Sequence, residues 1–239
     1  MGVLDHPLQK SVVLKLIHKP VASFTELLGE ERDSNKFAYH LGKLEAEGII
    51  KKTVEGKYSL SEEGRKLSAF IEGDTGTQAL FPTFAHVLVV QDGDKVLVQK
   101  RLKEPFYGYW GLISGKINFG LNIEECAIRD LTEETGLTAS GSQLIGINQA
   151  KTYEAGKLLF HHMMFYVRLN GISGDLHGVT HKGENEWVTV EEFLRRERFP
   201  DPWFDLVLNT KNFIFFETIR TMENGKFVDC KINNLTRLG

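Results

Sequence analysis

The sequence predicts an α/β protein of two domains: a small helical domain that ends in a β-hairpin, and a larger domain that mixes strands and helices. Three observations support this. Capped helical patterns dominate residues 7–72, long apolar and β-branched runs dominate residues 84–169, and one acidic helix pattern at residues 122–136 separates two groups of strands. A chain of 239 residues is long enough for one or two domains with a sizeable core.

The first domain, residues 1–72, is predicted from helix caps and one tight turn. The predicted elements are helices at residues 7–18, from Ser23, and from Asp33 or Ser34 to Gly48, then strands at residues 49–54 and 57–60 and a helix from Ser61. Ser23 is followed three residues later by Glu26, which is the spacing of a capping box. Residues 73–79 are polar and rich in glycine and threonine, so we interpret them as a linker to a second domain at residues 80–239.

The second domain is predicted to contain several long strands. Their positions are residues 84–91 and 95–101 around the turn 92–94, residues 143–153 and 157–169, and a short strand from Trp187 that leads into a helix from Glu191. The C-terminal segment allows two interpretations. Residues 213–222 are compatible with a helix, whereas residues 223–231 favour a hairpin, and we expect the hairpin.

Between the strands, residues 122–136 have the pattern of a single amphipathic helix. Asn122 with Glu125 three residues later predicts its start by a capping box, and Gly136 predicts its end in a left-handed turn. A glycine-bearing loop that contains Gly115 precedes the helix.

Three carboxylates share one face of this helix, because Asp130, Glu133 and Glu134 stand at offsets of zero, three and four residues. Like charges at these spacings repel, and they lie at the end of the helix where the dipole prefers cations. A bound cation would relieve both effects, and oxygen ligands suit Mg²⁺ or Mn²⁺. The same reasoning predicts that Glu134→Gln leaves the stability of the metal-free protein unchanged or slightly higher.

The segment from Gly115 to Leu137 closely resembles the Nudix box, G-x5-E-x7-R-E-U-x-E-E-x-G-U, in which U is an aliphatic residue. The matching positions are Gly115, Arg129, Leu131, Glu133, Glu134, Gly136 and Leu137. Two positions depart: Leu121 replaces the early glutamate, which in the family mainly supports the loop, and Asp130 replaces the glutamate after the arginine. The resemblance implies an α/β/α sandwich with a mixed sheet and a hydrolase that cleaves the diphosphate bond of a nucleoside diphosphate derivative, with Mg²⁺ or Mn²⁺ as cofactor.

The resemblance also assigns roles to residues. The implied metal ligands are the backbone carbonyl of Gly115 and the carboxylates of Asp130, Glu133 and Glu134. Arg129 would hold the carboxylates through hydrogen bonds, and the base that activates water is Glu133, Glu134 or an acidic residue before the Trp187 strand, where we rank Glu184 first.

Substrate recognition is expected upstream of the box. The candidate residues are Arg101, Lys103, Phe106 and Tyr107, with the two aromatic rings either stacking on a nucleobase or packing in the core. ADP-ribose, other nucleoside diphosphate derivatives and oxidised nucleotides all remain open as substrates.

The first domain has the element order of a winged helix-turn-helix, and the segment 39–50 followed by a lysine-bearing hairpin resembles winged-helix domains of prokaryotic transcription regulators. The resemblance implies binding to double-stranded DNA through the third helix and the hairpin. The candidate DNA-binding residues are Ser34, Asn35, Lys36, Tyr39, His40, Lys43, Lys51, Lys52 and Lys57. Because residues 1–72 carry eleven Lys and Arg against eleven Asp and Glu, dimerisation or covering of the substrate is the alternative role.

Composition excludes several other classes of protein. A net charge of −3 argues against a nucleic-acid coat or a membrane anchor, and two cysteines exclude a disulfide framework or a cysteine-rich zinc site. The N-terminus lacks the pattern of a signal peptide, and we expect a cytoplasmic protein, with a homodimer as a candidate assembly. The leading function is the hydrolase; the alternative is a transcription regulator whose Nudix domain senses a nucleotide-sugar metabolite and whose winged helix binds DNA.

Overall fold

The computed structural model describes residues 4–238. The chain divides into two compact units, with the division between Phe81 and Pro82. No helix among the described residues is long and apolar enough to cross a membrane.

From residue 4 onward, the first unit contains four helices and a two-stranded antiparallel hairpin. Its elements are α1 (Pro7–His18), α2 (Phe24–Leu28), α3 (Ser34–Ala46), β1 (Ile50–Lys52), β2 (Tyr58–Leu60) and α4 (Glu62–Ser68). The Ser23 hydroxyl accepts the Glu26 N–H and the Asp33 carboxylate accepts the Lys36 N–H, so side-chain caps start α2 and α3. The core of this unit combines side chains of α1 and α3, among them Val12, Leu16, Phe37 and Leu44, with side chains of α2 and of the hairpin.

The segment predicted as a linker, residues 73–79, lies within this first unit. The Glu72 N–H donates to the carbonyl of Thr77 at 2.8 Å, and the Ala79 N–H donates to the carbonyl of Phe70 at 3.0 Å. These hydrogen bonds turn the chain back towards the end of α4. The amino-acid composition of residues 73–79 cannot reveal this turn. The division between the units therefore falls a few residues later than the glycine and threonine content suggests.

The second unit is built on one large mixed sheet. Its strands are β3 (Thr83–Asp92), β4 (Lys95–Arg101), β5 (Trp110–Gly111), β6 (Ser114–Lys116), β7 (Thr138–Glu154), β8 (Lys157–Ser173), β9 (Gly183–Thr189), β10 (Phe213–Glu223) and β11 (Lys226–Leu238). The sheet order is β11-β10-β7-β8-β3-β4-β5, with β6 paired to β3 and β9 paired to β4. The pairs β3–β8 and β7–β10 are parallel, and the other pairs are antiparallel.

Helices cover both faces of this sheet: α5 (Ile123–Thr135) on one face, and α6 (Val190–Leu194) with α7 (Phe204–Asn209) on the other. Successive residues of β3 point to opposite faces, so Leu88 and Val90 pack with α5 while Val87 and Val89 pack with α6 and α7. The predicted α/β/α sandwich with a mixed sheet is confirmed.

The C-terminal segment forms the expected hairpin, β10 with β11. Alternate residues of β10 are buried against β7, so the helical alternative for residues 213–222 is wrong. Gly146 of β7 permits this pairing, since a Cβ there would lie 2.5 Å from the side chain of Ile214. Helix α7 has no counterpart in the sequence-based prediction.

Candidate active site

Helix α5 begins and ends where the sequence predicts. The Asn122 N–H donates to the carboxylate of Glu125 at 2.9 Å, and Gly136 adopts a left-handed conformation with φ of 75°. The carboxylates of this helix lie beside β3, β4, β6 and the segment before β9.

Asp130 is buried and lies between the side chains of Arg129 and His86. Its Oδ1 accepts hydrogen bonds from Arg129 at 2.6 Å and 3.0 Å, and its Oδ2 lies 3.2 Å from Nε2 of the buried His86. Burial raises the pKa of Asp130, but the contacts with His86 and Arg129 outweigh it, so the net pKa is below the ordinary range. A Cβ at Gly115 would lie 2.0 Å from Oδ2 of Asp130, so only glycine fits beside this carboxylate.

Glu134 is also buried, with 2% of its side chain exposed, and both of its oxygens are occupied. Oε2 accepts from the amide of Gln99 at 3.0 Å, and Oε1 accepts from the ammonium of Lys182 at 3.1 Å. Asn185 joins this network, because its amide donates to the backbone carbonyl of Glu134 at 2.7 Å and its oxygen accepts from Gln99 at 3.0 Å. Cations of the chain itself therefore contact Asp130 and Glu134, so the repulsion expected from the spacing of the three carboxylates is offset by Arg129 and Lys182.

Glu133 differs from its two neighbours, because 55% of its side chain is exposed. It lies 3.7 Å from Arg129 and 3.8 Å from Lys182, which are loose contacts. The three carboxylates line one cleft of about 380 Å³ together with four cationic side chains. Those cationic residues are Lys103, Lys116, Arg129 and Lys182.

The carboxylates of α5 offer oxygen donors of the kind that a divalent metal requires. Within residues 4–238, no three His, Cys, Asp or Glu side chains form a ready-made metal site, and cations of the chain contact the carboxylates of Asp130 and Glu134. The ammonium of Lys182 nevertheless lies between Glu133 and Glu134, where it stands in for a bound cation. The carboxylates thus have the oxygen chemistry that Mg²⁺ or Mn²⁺ prefers, on condition that Lys182 leaves that position.

An aromatic cavity of about 510 Å³ adjoins the acidic cleft, and both are lined by Lys103, Gly115 and Lys116. Phe106 is the centre of its aromatic cluster, with ring centroids 5.2 Å from Phe160, 5.6 Å from Phe199 and 5.1 Å from Phe227. The predicted substrate residues Arg101, Lys103 and Phe106 line this cavity together. Tyr107 does not join them, because its side chain turns outward and is 60% exposed.

Charged residues that the sequence-based prediction missed also line this cavity. The guanidinium of Arg220, on β10, donates to the carboxylate of Asp201 at 3.0 Å, and Arg220 lies near the rings of Phe199 and Trp203. His162 lines the same cavity, and burial together with the charge of Arg220 lowers its pKa to about 4. No sequence signal links Asp201 to Arg220, since they are separated along the chain and meet only through the pairing of β10.

The structure does not bring Glu184 to the cleft. On β9 successive side chains alternate, so Glu184 points away from Asn185 and hence away from the Glu134 network; its carboxylate lies 3.5 Å from Lys100 instead. The residue that reaches the cleft from this segment is Lys182.

In the first unit, most of the candidate DNA-binding residues are exposed. Those exposed are Ser34, Asn35, Lys36, Tyr39, Lys43, Lys51, Lys52 and Lys57. His40 is different: its ring stacks on His6 with centroids 3.7 Å apart, and its Nδ1 is buried. The side chain of His40 is therefore held within the unit.

Comparison with known proteins places the second unit. A family model described as NUDIX domain matches residues 80–207. An ADP-ribose pyrophosphatase of Methanocaldococcus jannaschii is 34% identical over 68 residues, which are 28% of this chain and 40% of that protein. An oxidized purine nucleoside triphosphate hydrolase of Danio rerio is 28% identical over 130 residues, which are 54% of this chain and 80% of that protein.

A solved structure of a mutator MutT protein from Bacillus halodurans is similar, with a TM-score of 0.54 and 25% sequence identity over 63% of this chain and 97% of that one. Two curated relatives that are 34% identical, from Bacillus subtilis and M. jannaschii, are matched over only 49% and 40% of their own lengths. The family model, in contrast, covers more than half of this chain and contains the acidic helix, its glycine loop and most of the sheet. The chain therefore belongs to the Nudix family.

Proposed function

We propose that the second unit is a metal-dependent Nudix hydrolase that cleaves the diphosphate bond of a nucleoside diphosphate derivative. The observation that carries this proposal is the junction of the two cavities: the acidic cleft and the aromatic cavity meet at Lys103, Gly115 and Lys116. A nucleoside in the aromatic cavity would extend its phosphates past these lysines toward the carboxylates of α5. The names of the relatives, which concern nucleotide substrates, agree with this arrangement.

The residues of the chain would act chiefly by binding and orienting the diphosphate. Lys103 and Lys116 would neutralise phosphate oxygens at the junction of the cavities. Partial burial removes water from the Lys103 ammonium and thereby lowers its pKa. Arg129 would keep the Asp130 carboxylate fixed, as its hydrogen bonds at 2.6 Å and 3.0 Å indicate.

Nudix hydrolases generally use divalent ions such as Mg²⁺ or Mn²⁺. In this chain Asp130, Glu133, Glu134 and the backbone carbonyl of Gly115 would hold such an ion, which would supply charge neutralisation and polarise the diphosphate. Asp130 replaces the glutamate that the Nudix box has at this position, and its shorter side chain is packed against Gly115.

Glu133 is the carboxylate best placed to accept a proton from the attacking water. Its side chain is half exposed in the cleft, whereas Glu134 has both oxygens occupied and Glu184 faces Lys100. Water would attack a phosphorus atom, the proton would pass to Glu133, and the bridging oxygen would leave with the other phosphate.

A screen of nucleotides tests the proposal. Phosphate release would be measured from ADP-ribose, nucleotide sugars and oxidised nucleoside triphosphates with Mg²⁺ or Mn²⁺, with a phosphatase added where the product is a monophosphate ester. We expect turnover of at least one compound, and loss of turnover with EDTA and in Glu133→Gln. Tight binding of one of these compounds without turnover would instead support a sensor.

The second candidate function is a DNA-binding regulator, and the first unit favours it. We infer a winged helix from its three helices, antiparallel hairpin and closing helix, and Lys36, Lys51, Lys52 and Lys57 expose their side chains on α3 and around the hairpin. His40 would be excluded from the contact, because it is stacked on His6. In this function the Nudix unit would report on a nucleotide-sugar ligand.

The salt dependence of the affinity for DNA distinguishes two roles of the first unit, DNA recognition and support of the enzyme. Affinity for duplex DNA should fall steeply with salt if lysines neutralise phosphates, and replacing Lys51 and Lys52 with Ala should weaken binding to all sequences and flatten that dependence. Asn35→Ala should instead relax sequence preference. If DNA fails to bind even at low salt, and deletion of residues 1–81 abolishes hydrolysis or a homodimer, the first unit serves the enzyme and not a promoter.

A further inference from the structure

The cation that lies among the carboxylates of α5 is part of the chain itself. The ammonium of Lys182 is 3.1 Å from Glu134 and 3.8 Å from Glu133, and the Lys182 side chain is only 22% exposed. The contact with Glu134 joins residues 48 positions apart in the sequence. Because lysine side chains normally extend their ammonium groups into water, the insertion of Lys182 into this cleft indicates a specific contact.

The segment around Lys182 is built to hold this position. The Thr180 N–H donates to the carbonyl of Gly183 at 2.9 Å, and the Thr180 hydroxyl accepts the N–H of Lys182 at 3.3 Å, which together form a tight turn. Gly183 packs directly on β4, since a Cβ there would lie 2.4 Å from the side chain of Gln99. These contacts hold the backbone of the turn, and the long Lys182 side chain extends from it into the cleft.

We propose that Lys182 is a built-in competitor of the catalytic metal: its ammonium neutralises Glu133 and Glu134 in the metal-free protein, and a divalent ion that binds there must displace it. This inference rests on the proposed function in its choice of site. An ammonium hydrogen-bonded to Glu134 and a divalent ion coordinated at about 2.0–2.1 Å by the same carboxylate compete for its oxygens and repel each other at such short range. The competition lowers metal affinity and keeps the empty site stable.

Metal affinity measured directly tests the competition without any substrate. The Kd of Mn²⁺ would be measured by electron paramagnetic resonance for the full-length wild-type protein, Lys182→Met, Lys182→Arg and Lys100→Met. We expect Lys182→Met to bind Mn²⁺ at least about tenfold more tightly, because a nearby cation is lost from a poorly solvated site. Lys182→Arg should stay within about threefold of the wild type, because the positive charge is retained.

Lys100→Met is the matched control, because Lys100 also faces a glutamate, Glu184, at 3.5 Å but has no contact with α5 carboxylates among the described residues. It should change the Kd less than about twofold, since half-exposed charges are screened by solvent. If Lys182→Met binds Mn²⁺ no more tightly than the wild type, or if Lys100→Met gains as much, the proposal is overturned.

A measurement on the wild-type protein covers the case in which Lys182→Met does not fold. The rate of reductive methylation of Lys182 would be followed by peptide mass spectrometry with and without Mn²⁺. Metal binding should raise that rate several-fold, because the displaced ammonium becomes accessible, while the rate at Lys100 stays constant. An unchanged or slower rate at Lys182 with saturating Mn²⁺, or no Mn²⁺ binding by any variant, overturns the proposal. Tighter binding by Lys182→Met together with no hydrolysis of any nucleotide would uphold the competition and refute the hydrolase.

Discussion

The replacement of Glu134 by glutamine gives the sharpest test of the site, because it changes a buried charge with almost no change in volume. The carboxylate of Glu134 accepts two hydrogen bonds, from Gln99 at 3.0 Å and from Lys182 at 3.1 Å. A glutamine side chain has one acceptor oxygen, so its NH₂ group must face one of these two donors. The structure therefore predicts a loss of stability in metal-free buffer, opposite to the expectation from the sequence.

The size of the loss follows from the burial of the groups involved. A buried donor left without an acceptor costs ~1–3 kcal/mol, and more when the donor is charged. Lys182 is 22% exposed, so water recovers part of its lost interaction, and we expect a net loss of about 2 kcal/mol in the free energy of unfolding. For a domain of this size the melting temperature should fall by about 4–8 °C.

Tryptophan fluorescence isolates the relevant unit. All three tryptophans, Trp110, Trp187 and Trp203, lie in the second unit, so urea unfolding followed by their emission reports on that unit alone. The wild type and Glu134→Gln would be compared in EDTA, with the slope against urea used to check that both unfold in one transition.

Glu133→Gln is the matched control on the same helix. Glu133 is 55% exposed and its nearest charged partners are 3.7 Å and 3.8 Å away, so its replacement should change stability by less than ~0.5 kcal/mol. Equal or greater stability of Glu134→Gln would refute the hydrogen-bonded role assigned to Glu134 and restore the view that its charge is merely repelled by its neighbours.

Three further predictions concern the two cavities. Phe106→Ala should raise the KM or Kd of a nucleotide about tenfold, because stacking on one ring contributes ~1–3 kcal/mol, whereas Tyr107→Ala should have little effect; isothermal titration would contradict the assignment if the two variants behaved alike. Gly115→Ala should abolish hydrolysis and lower the melting temperature, because the added Cβ would lie 2.0 Å from Asp130; normal activity would show that the cleft is not the site. Burial lowers the pKa of His162 from 6.5 to about 4, so between these pH values the unfolded chain takes up a proton that the folded unit does not. The free energy of unfolding, measured with urea, should therefore fall as the pH is lowered from 6.5 towards 4. This fall should be smaller in His162→Gln.

Local sequence signals placed the elements that depend on near neighbours. The capping box at Asn122, the glycine after α5 and the turn between β3 and β4 each involve residues within a few positions, so their chemistry can be read directly. The same applies to the caps of α2 and α3. Strand lengths were less accurate: β7 and β8 extend beyond the predicted strands, because their pairing with each other continues past the apolar runs.

The three carboxylates of α5 show what a local sequence pattern can predict and what it cannot. Helical periodicity put Asp130, Glu133 and Glu134 on one face, and the structure keeps all three in one cleft. Periodicity cannot show that Glu134 meets Gln99 and Lys182, which come from β4 and from the turn before β9. The sign of the predicted stability change for Glu134→Gln depends on those partners.

What the sequence by itself determined is the Nudix motif, the α/β/α order of elements and the residue types that can carry phosphate chemistry, because each rests on spacing along one helix or on alternation along one strand. The tertiary structure alone decided which charges are paired. It placed Lys182 among the carboxylates and turned Glu184 away, and it joined Arg220 to Asp201 by pairing β10 with β7. These outcomes depend on contacts between segments far apart in the chain, and a local pattern carries no information about which distant donor fills a buried acceptor.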